Sequence, residues 1–404
     1  MRLVVLKFGG TSVGTIHKIK RIAKIIENYK KKKYNIIVVC SAMSGVTNDL
    51  ITKTKEVSKN FSETEYDAIV STGEQVSCSL IAGCLSNNGL KARSWSSWQI
   101  PILTKGPNKN ARIYKIHKKD ILSYIKQGGI PIVTGFQGLN KDNRITTIGR
   151  GGSDASAIMF AKFFKAEKCI IYTDVEGVFT TDPNKLKKAK KIKMISYEEM
   201  LEMASLGAKV MQPVSIQDAR LDRIDIEVKS SFVKRPGTLI TKRSNINLNR
   251  TVTGITSTHN DAKVTLVGVK DKPGVAASIF KPLSKNSINV DMVVQNISAD
   301  KKHTDLTFTI KNEDLHKTKK ICQNNKSINF KKLLLKKNVS KISIIGVGMI
   351  TTPGVSFRMF QALANSKINI QVISTSEIKI SVLVDKKNTR KALSALHKEF
   401  KLDK

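Results

Sequence analysis

The second half of the chain repeats itself, and a duplication in register leaves few folds open to it. Lys263-Val264-Thr265-Leu266-Val267-Gly268-Val269 aligns with Lys341-Ile342-Ser343-Ile344-Ile345-Gly346-Val347, and Pro273-Gly274-Val275 with Pro353-Gly354-Val355. Phe280 then pairs with Phe360, Leu283 with Leu363, and Ile288-Asn289-Val290 with Ile368-Asn369-Ile370. Each copy reads as strand, Pro-Gly loop, helix, strand, and Leu306 to Ile310 and Ile378 to Val384 supply further strands. That is a small α+β sandwich built twice. The Pro-Gly step opens each helix N-terminus to a small anionic or zwitterionic ligand, and Asp271 and Asn289 stand near that point. A duplicated module that only pairs copies of the chain is the other reading of the same pattern.

The first half follows another rhythm. From residue 1 to about 240, short apolar runs (Leu3 to Leu6, Ile36 to Cys40, Ile130 to Thr134, Cys169 to Thr173) alternate with helical periodicity, as in the 15 to 31 segment and from Glu63 to Ser86. This predicts an α/β sheet layered by helices. Polar or glycine-rich turns follow the strands, and in such sheets ligands sit beyond the carboxyl ends. The first turn, Lys7-Phe8-Gly9-Gly10-Thr11-Ser12-Val13-Gly14, sets a cation and two glycines between strand and helix, a layout suited to a nucleotide phosphate. It is neither the P-loop spacing nor the dinucleotide G-x-G-x-x-G. An ordinary strand-to-helix turn with an incidental lysine has the same sequence.

Composition narrows the class. At 404 residues and 40% hydrophobic content the chain is long enough for two or three domains with cores of their own. The formal charge of +38 raises nucleic-acid binding, but the excess is spread as lysine pairs and runs such as Lys30 to Lys33, and arginine is sparse. Solvated surface lysine accounts for it, and no specific nucleic-acid partner is expected. No apolar run approaches a membrane span and the N-terminus is too short for a signal segment, so a cytoplasmic protein is expected. The cysteines Cys40, Cys78, Cys84, Cys169 and Cys322 form no C-x-x-C pair and read as small core residues.

Three more segments carry chemistry. In Gly149-Arg150-Gly151-Gly152-Ser153-Asp154, Ser153 or Asp154 is placed to cap the following helix, while the arginine fork among glycines suits a substrate carboxylate. Thr173-Asp174-Val175-Glu176-Gly177-Val178-Phe179-Thr180-Thr181-Asp182-Pro183 is a strand end and a turn-rich loop, either plain turns or a cover for adenine and ribose. Glu74, at the start of an apolar helix, answers the helix dipole or an ammonium. An amino acid has both groups, the carboxylate for Arg150 and the ammonium for Glu74 and Asp154, while Lys7, Gly9-Gly10 and Lys209 would take the nucleotide's phosphates.

Lys7 to Ser12, Ser41-Ala42-Met43-Ser44-Gly45-Val46-Thr47, Gly149 to Asp154, Thr173 to Pro183 and the paired repeats together resemble the monofunctional aspartate kinases, over essentially the whole chain. The resemblance implies a three-layer amino-acid kinase domain with a central, mostly parallel sheet over residues 1–245. It implies two ACT domains over 246–404, about 264–340 and 341–404, the second completed by about 248–263. It implies transfer of phosphate from ATP to L-aspartate, the entry step to lysine, threonine and methionine, with Mg²⁺ carried mainly by the nucleotide phosphates and no metal site built by the protein. Lys7, Phe8, Gly9, Gly10, Thr173, Asp174, Phe179, Thr180, Thr181, Asp182 and Lys209 would serve ATP. Ser41, Thr47, Glu74, Arg150, Gly151, Gly152, Ser153 and Asp154 would serve aspartate, with Lys7, Arg150, Asp154 and Lys209 as the catalytic group. Phe179 stands where some similar enzymes have tyrosine, which leaves ring contact without a hydroxyl. Asp271, Gly274, Ala276, Asn289, Asp291, Gln295 and Ser376 match the pocket for an amino-acid effector, lysine or threonine or both. A homodimer through the ACT domains is expected; an internal ATG start between Met211 and Met292 is excluded, because no methionine lies between them. The competing readings are a kinase for glutamate or acetylglutamate, which the duplicated module disfavours, and a non-catalytic amino-acid sensor, which the intact Lys7, Arg150, Asp154 and Lys209 disfavour.

Overall fold

The computed structural model describes residues 2–208, 210–243, 250–297, 302–325 and 328–403. Contacts divide the chain into two units, Met1–Val178 with Lys191–Ile246, and Phe179–Lys190 with Asn247–Lys404.

The first unit runs β1 (Leu3–Phe8), α1 (Gly10–Val13), α2 (Ile16–Lys31), β2 (Asn35–Cys40), α3 (Val46–Val57), α4 (Glu63–Val70) and α5 (Thr72–Asn87). It continues with β3 (Ala92–Trp95), β4 (Ile102–Lys105), β5 (Arg112–Ile116), α6 (Lys119–Lys126), β6 (Ile130–Thr134), β7 (Gln137–Leu139) and β8 (Ile145–Thr147). It closes with α7 (Gly152–Phe164), β9 (Lys168–Thr173), β10 (Met194–Ser196), α8 (Tyr197–Ser205), α9 (Pro213–Asp222), β11 (Ile226–Ser230) and β12 (Thr238–Thr241). Eight strands form one sheet in the order β10-β12-β11-β9-β1-β2-β6-β3, parallel except where β11 meets β12. All six residues of β1 are buried, as a strand covered on both faces must be. Val4, Leu6 and Phe8 pack with Ile19, Ile22 and Ile26 of α2 and Ile81 and Leu85 of α5. Side chains alternate, so Lys7 points to the opposite face, where α7 lies. Thr15 caps α2, its hydroxyl accepting the Lys18 N–H at 3.3 Å, and each buried isoleucine of the helix contributes about 2 kcal/mol. A smaller sheet, β5-β4-β7-β8, completes the unit.

The stretch Glu63–Asn87, α4 and α5 in near continuity, is long and apolar enough by composition to cross a membrane, which corrects the expectation of no such run. Half of it is buried inside the unit, with Cys78, Ile81 and Leu85 in the core, so its hydrophobicity is that of a core helix.

The second unit holds β13 (Gly254–Ser257), β14 (Asp261–Lys270), α10 (Val275–Lys285), β15 (Asp291–Ile297), β16 (His303–Lys311) and α11 (Leu315–Asn324). It ends with β17 (Lys332–Ile345), α12 (Val355–Asn365), β18 (Val372–Ser376), β19 (Lys379–Asp385) and α13 (Thr389–Glu399). The two copies share their element order, and Gly274 and Gly354 cap helices of 11 residues with left-handed φ of 86° and 80°. Their strands form one sheet, β15-β16-β14-β17-β19-β18, with β13 also on β17. β17 serves both copies, pairing its first part with β14 (Leu266 to Leu333) and its last part with β19 (Ile342 to Val382). Each copy keeps its own core, Leu266, Ile279, Leu283 and Phe308 in one and Ile344, Met359, Leu363 and Leu393 in the other. Ile255 of β13 joins the second core, so that copy draws a strand from ahead of the first.

Candidate active site

Parallel pairing brings the carboxyl ends of β1, β2, β6 and β9 to one edge of the sheet. The turns leaving that edge are stitched together: Gly9 N–H donates to the Tyr172 carbonyl at 3.2 Å, Ser41 N–H to Phe8 at 3.1 Å, and Gly135 N–H to Cys40 at 3.0 Å. A cavity of about 790 Å³ opens there, lined by Lys7, Gly10, the 41–45 turn, Thr47, Glu74, Phe136 and the Gly149–Asp154 segment. Gly10 is required by close approach, since a Cβ on it would stand 2.9 Å from the Ala42 carbonyl oxygen.

Lys7 is 8% exposed, and its ammonium lies 2.6 Å from Oδ1 of Asp154. Asp154 falls in the first turn of α7, where the helix dipole favours a carboxylate. The capping role open to Ser153 or Asp154 is not what the structure shows. The Gly149-Arg150-Gly151 turn delivers the chain into α7 at Gly152, Gly151 is the cap with φ 75°, and both side chains lie inside the helix. Arg150 is exposed at the cavity and makes no ion pair among the described residues.

Glu74 sits in the first turn of α5, 3% exposed. Its Oε1 accepts the Ala42 N–H at 2.9 Å, and its Oε2 is buried with no hydrogen-bond partner among the described residues. Burial pushes the carboxyl up to about 7, against the opposing pull of the Ala42 hydrogen bond. The Ser41 carbonyl accepts the Ser77 hydroxyl at 2.7 Å, which pins the 41–45 turn to the same helix.

The cavity also takes residues that sequence reasoning did not single out. Phe136 lines it in a left-handed backbone, φ 67°, held by its N–H on the Ser156 hydroxyl (3.0 Å) and its carbonyl under the Ile148 N–H (3.0 Å). Its signal was the Gly135-Phe136-Gln137-Gly138 turn after a strand. Tyr66, Lys109 and Asn110 also line the cavity and have no local signal.

Of the expected nucleotide residues, Lys7 and Gly10 line the cavity and Gly9 lies in the turn between them, whereas Phe8 is buried in the core with its ring stacked on Tyr172 and faces no ligand; the others fall in three further places. Thr173 and Asp174 follow β9 at the strand edge, the Thr173 hydroxyl donating to Asp174 Oδ1 at 3.0 Å. Lys209 lies outside the described residues. Phe179, Thr180, Thr181 and Asp182 belong to the second unit. There the Thr180 hydroxyl accepts the Lys190 N–H at 3.0 Å and meets His397 Nε2 at 2.9 Å, and its carbonyl accepts the Ile255 N–H at 2.7 Å. Burial holds the His397 imidazole below its ordinary range. Thr181 is buried, and Asp182 caps a turn by accepting the Asn184 N–H at 2.9 Å.

The expected effector residues are all in the second unit. Asp271 is an exposed turn residue after β14, Gly274 and Ala276 open α10, Asn289 is exposed before β15, Gln295 lies on β15, and Ser376 ends β18. Asp291 is ion-paired with Lys341, whose side chain is largely buried. Although burial opposes it, that ammonium holds the Asp291 carboxyl below its usual range. Lys341 begins the second copy of the repeat, so the pair ties β15 of one copy to β17 of the other.

Comparison with known proteins bears on this site. The amino acid kinase family matches residues 2–230, and the ACT domain matches residues 264–325 and 342–400. An aspartate kinase of Stutzerimonas stutzeri is 44% identical over all of this chain and 98% of its own length. Aspartokinase 2 of Bacillus subtilis is 41% identical over all of this chain and 99% of its own. Among solved structures, E. coli aspartokinase III with aspartate and ADP shares the fold, with a TM-score of 0.78 at 23% identity over 98% of this chain and 99% of that one. This chain belongs to the amino acid kinase family and, within it, to the aspartate kinases that carry paired ACT domains.

Proposed function

We propose that the chain transfers the terminal phosphoryl group of ATP to the side-chain carboxylate of L-aspartate, giving 4-phospho-L-aspartate and ADP, as the entry step to lysine, threonine and methionine. The observation that carries this reading is Glu74, a buried carboxylate with one oxygen unpartnered at a cavity that also presents Arg150. An amino acid answers both, its ammonium on Glu74 and its α-carboxylate on the guanidinium fork. The relatives named above are aspartate kinases, and the E. coli enzyme was crystallised with aspartate and ADP.

The acceptor carboxylate, with an ordinary pKa of about 3.9, is ionised at neutral pH, so the reaction needs no general base. Its oxygen attacks the γ-phosphorus in line, the bond to the β,γ-bridging oxygen breaks, and ADP leaves with that electron pair. The enzyme's work is to align two anions and neutralise the transferred group. Lys7 supplies the cation, and Asp154 at 2.6 Å fixes where that ammonium stands. Because the Gly9 N–H is engaged by Tyr172, phosphate recognition falls to the N–H groups at the start of α1 beyond it. The hard oxygen donors at the site suit magnesium, which would add charge neutralisation between the phosphates. With the buried Asp154 held by Lys7, phosphate oxygens and water would supply most of its shell.

In this reading the second unit binds an end-product amino acid, lysine or threonine or both, and dimerises the chain. A second E. coli aspartokinase III structure, 24% identical, holds lysine together with aspartate. The test is ADP release with aspartate, glutamate and N-acetylglutamate as acceptors, then with lysine and threonine added singly and together. Turnover with aspartate above the other two is expected. Equal or faster turnover of glutamate overturns the substrate, and no response to either amino acid overturns the effector.

A further inference from the structure

Asp67, on α4, has no exposed surface, and the chemistry above gives it no task. A carboxylate buried this deeply has to find donors inside the protein. Its donors come from two distant segments. The Thr147 hydroxyl donates to Oδ1 at 2.6 Å, Asn108 Nδ2 to Oδ2 at 2.8 Å, and the Lys109 N–H is shared between the two oxygens at 3.2 and 3.1 Å.

Both segments lead to the substrate cavity. Thr147 ends β8, two residues before Gly149 and three before Arg150. Lys109 and Asn110 form part of the cavity wall. The segments are pressed together beneath it: Ala111 N–H donates to the Thr147 carbonyl at 3.0 Å, and a Cβ on Gly149 would stand 2.7 Å from Asn110 Oδ1. Lys109 has a left-handed backbone, φ 65°, uncommon for a residue with a side chain. Asp67 fixes this turn by accepting the Lys109 N–H. The same helix holds its side chain, with the ammonium 3.2 Å from Glu63 and 4.6 Å from the Tyr66 ring centre.

We propose that Asp67 is a positioning residue for the acceptor substrate: its carboxylate pins the 107–110 loop to the end of β8 and so fixes where Arg150 stands at the cavity. The inference rests on the aspartate kinase reading and adds to it a residue that never touches substrate. The Lys109 N–H reaches both oxygens, so an amide at this position turns NH₂ toward that donor on one side, and it removes the charge that strengthens all of these hydrogen bonds.

The test is steady-state kinetics of Asp67→Asn and Asn108→Ala, with urea unfolding of each. Asp67→Asn is expected to raise the KM for aspartate about tenfold and Asn108→Ala about threefold, the KM for ATP moving less than about twofold in both. A carboxylate that only stabilises the fold lowers the urea midpoint and the active fraction, leaving both KM values unchanged. That result, or a parallel rise in both KM values, overturns the proposal. If Asp67→Asn does not fold, Asn108→Ala decides, and an unchanged aspartate KM overturns it. Wild-type protein that releases no ADP with aspartate overturns the underlying reading and this one with it, before any variant is made.

Discussion

Glu74 keeps its proton to about pH 7 in the folded chain, whereas the same carboxyl free in water loses it near 4.5. Between those values the folded state binds more protons than the unfolded one, so Glu74 makes stability fall as pH rises through that window, by about 3 kcal/mol at most. An ammonium, by contrast, binds the ionised form. The two effects give opposite signs for one substitution. For the wild type, the ionised fraction rises from about a tenth at pH 6 to about nine tenths at pH 8, so the aspartate KM is expected to fall about tenfold over that range. In Glu74→Gln the KM stays high and loses this pH dependence. Without substrate, that variant is expected to unfold at higher urea than wild type at about pH 8 and at the same urea near pH 4. A KM profile that stays steep in the variant would remove Glu74 from the ammonium site.

At the scale of elements, the Pro-Gly turns carry the clearest energetic signature of the duplication. Gly274 and Gly354 hold the same left-handed backbone, and a Cβ on either meets nothing within 4 Å. The cost of alanine there is therefore backbone strain alone, about 1–2 kcal/mol, and equal in the two copies. Urea denaturation of Gly274→Ala and Gly354→Ala is expected to show matching losses; a loss in one copy only would mean that the turns differ in role. Elements of this kind were legible because their residues are neighbours in sequence. The isoleucines of α2 recur at helical spacing, Lys7 to Gly10 form one turn, and the repeat announces its own boundaries. Other elements were not. α3 buries little beyond Thr54, so no apolar stripe marks it, and β7 and β8 are strands of three residues. Phe136 and Asp67 depend on a backbone angle and on loops brought together from afar. In sequence, Phe179 to Pro183 read as part of a turn-rich loop over the nucleotide, and only the folded chain shows Thr180 buried against His397.

Over the whole molecule the charge is +38, with 70 lysines and arginines against 32 aspartates and glutamates, so cations outnumber the acidic groups that could pair with them. Self-repulsion of this size weakens the compact state and is screened by salt. Raising sodium chloride from about 0.1 to 1 M shortens the screening length from about 10 to 3 Å, while the exposed ion pairs it weakens are worth under about 1 kcal/mol each. The thermal midpoint is therefore expected to rise with salt. A fall would mean that the ion pairs outweigh the repulsion.

The strand β17, shared by the two copies from Lys332 to Ile345, has a consequence for heredity. The copies are related by duplication, yet they are no longer separable cassettes. A recombination joint placed between them would fall within a strand, stripping β14 of the Leu333-Leu334-Leu335 ladder on one side or β19 of its partner on the other. Exchange with a related gene that preserves either copy has to keep residues 332–345 from a single parent. The pair is therefore one structural block, and a chimera joined outside that strand is expected to keep it folded where one joined inside it does not.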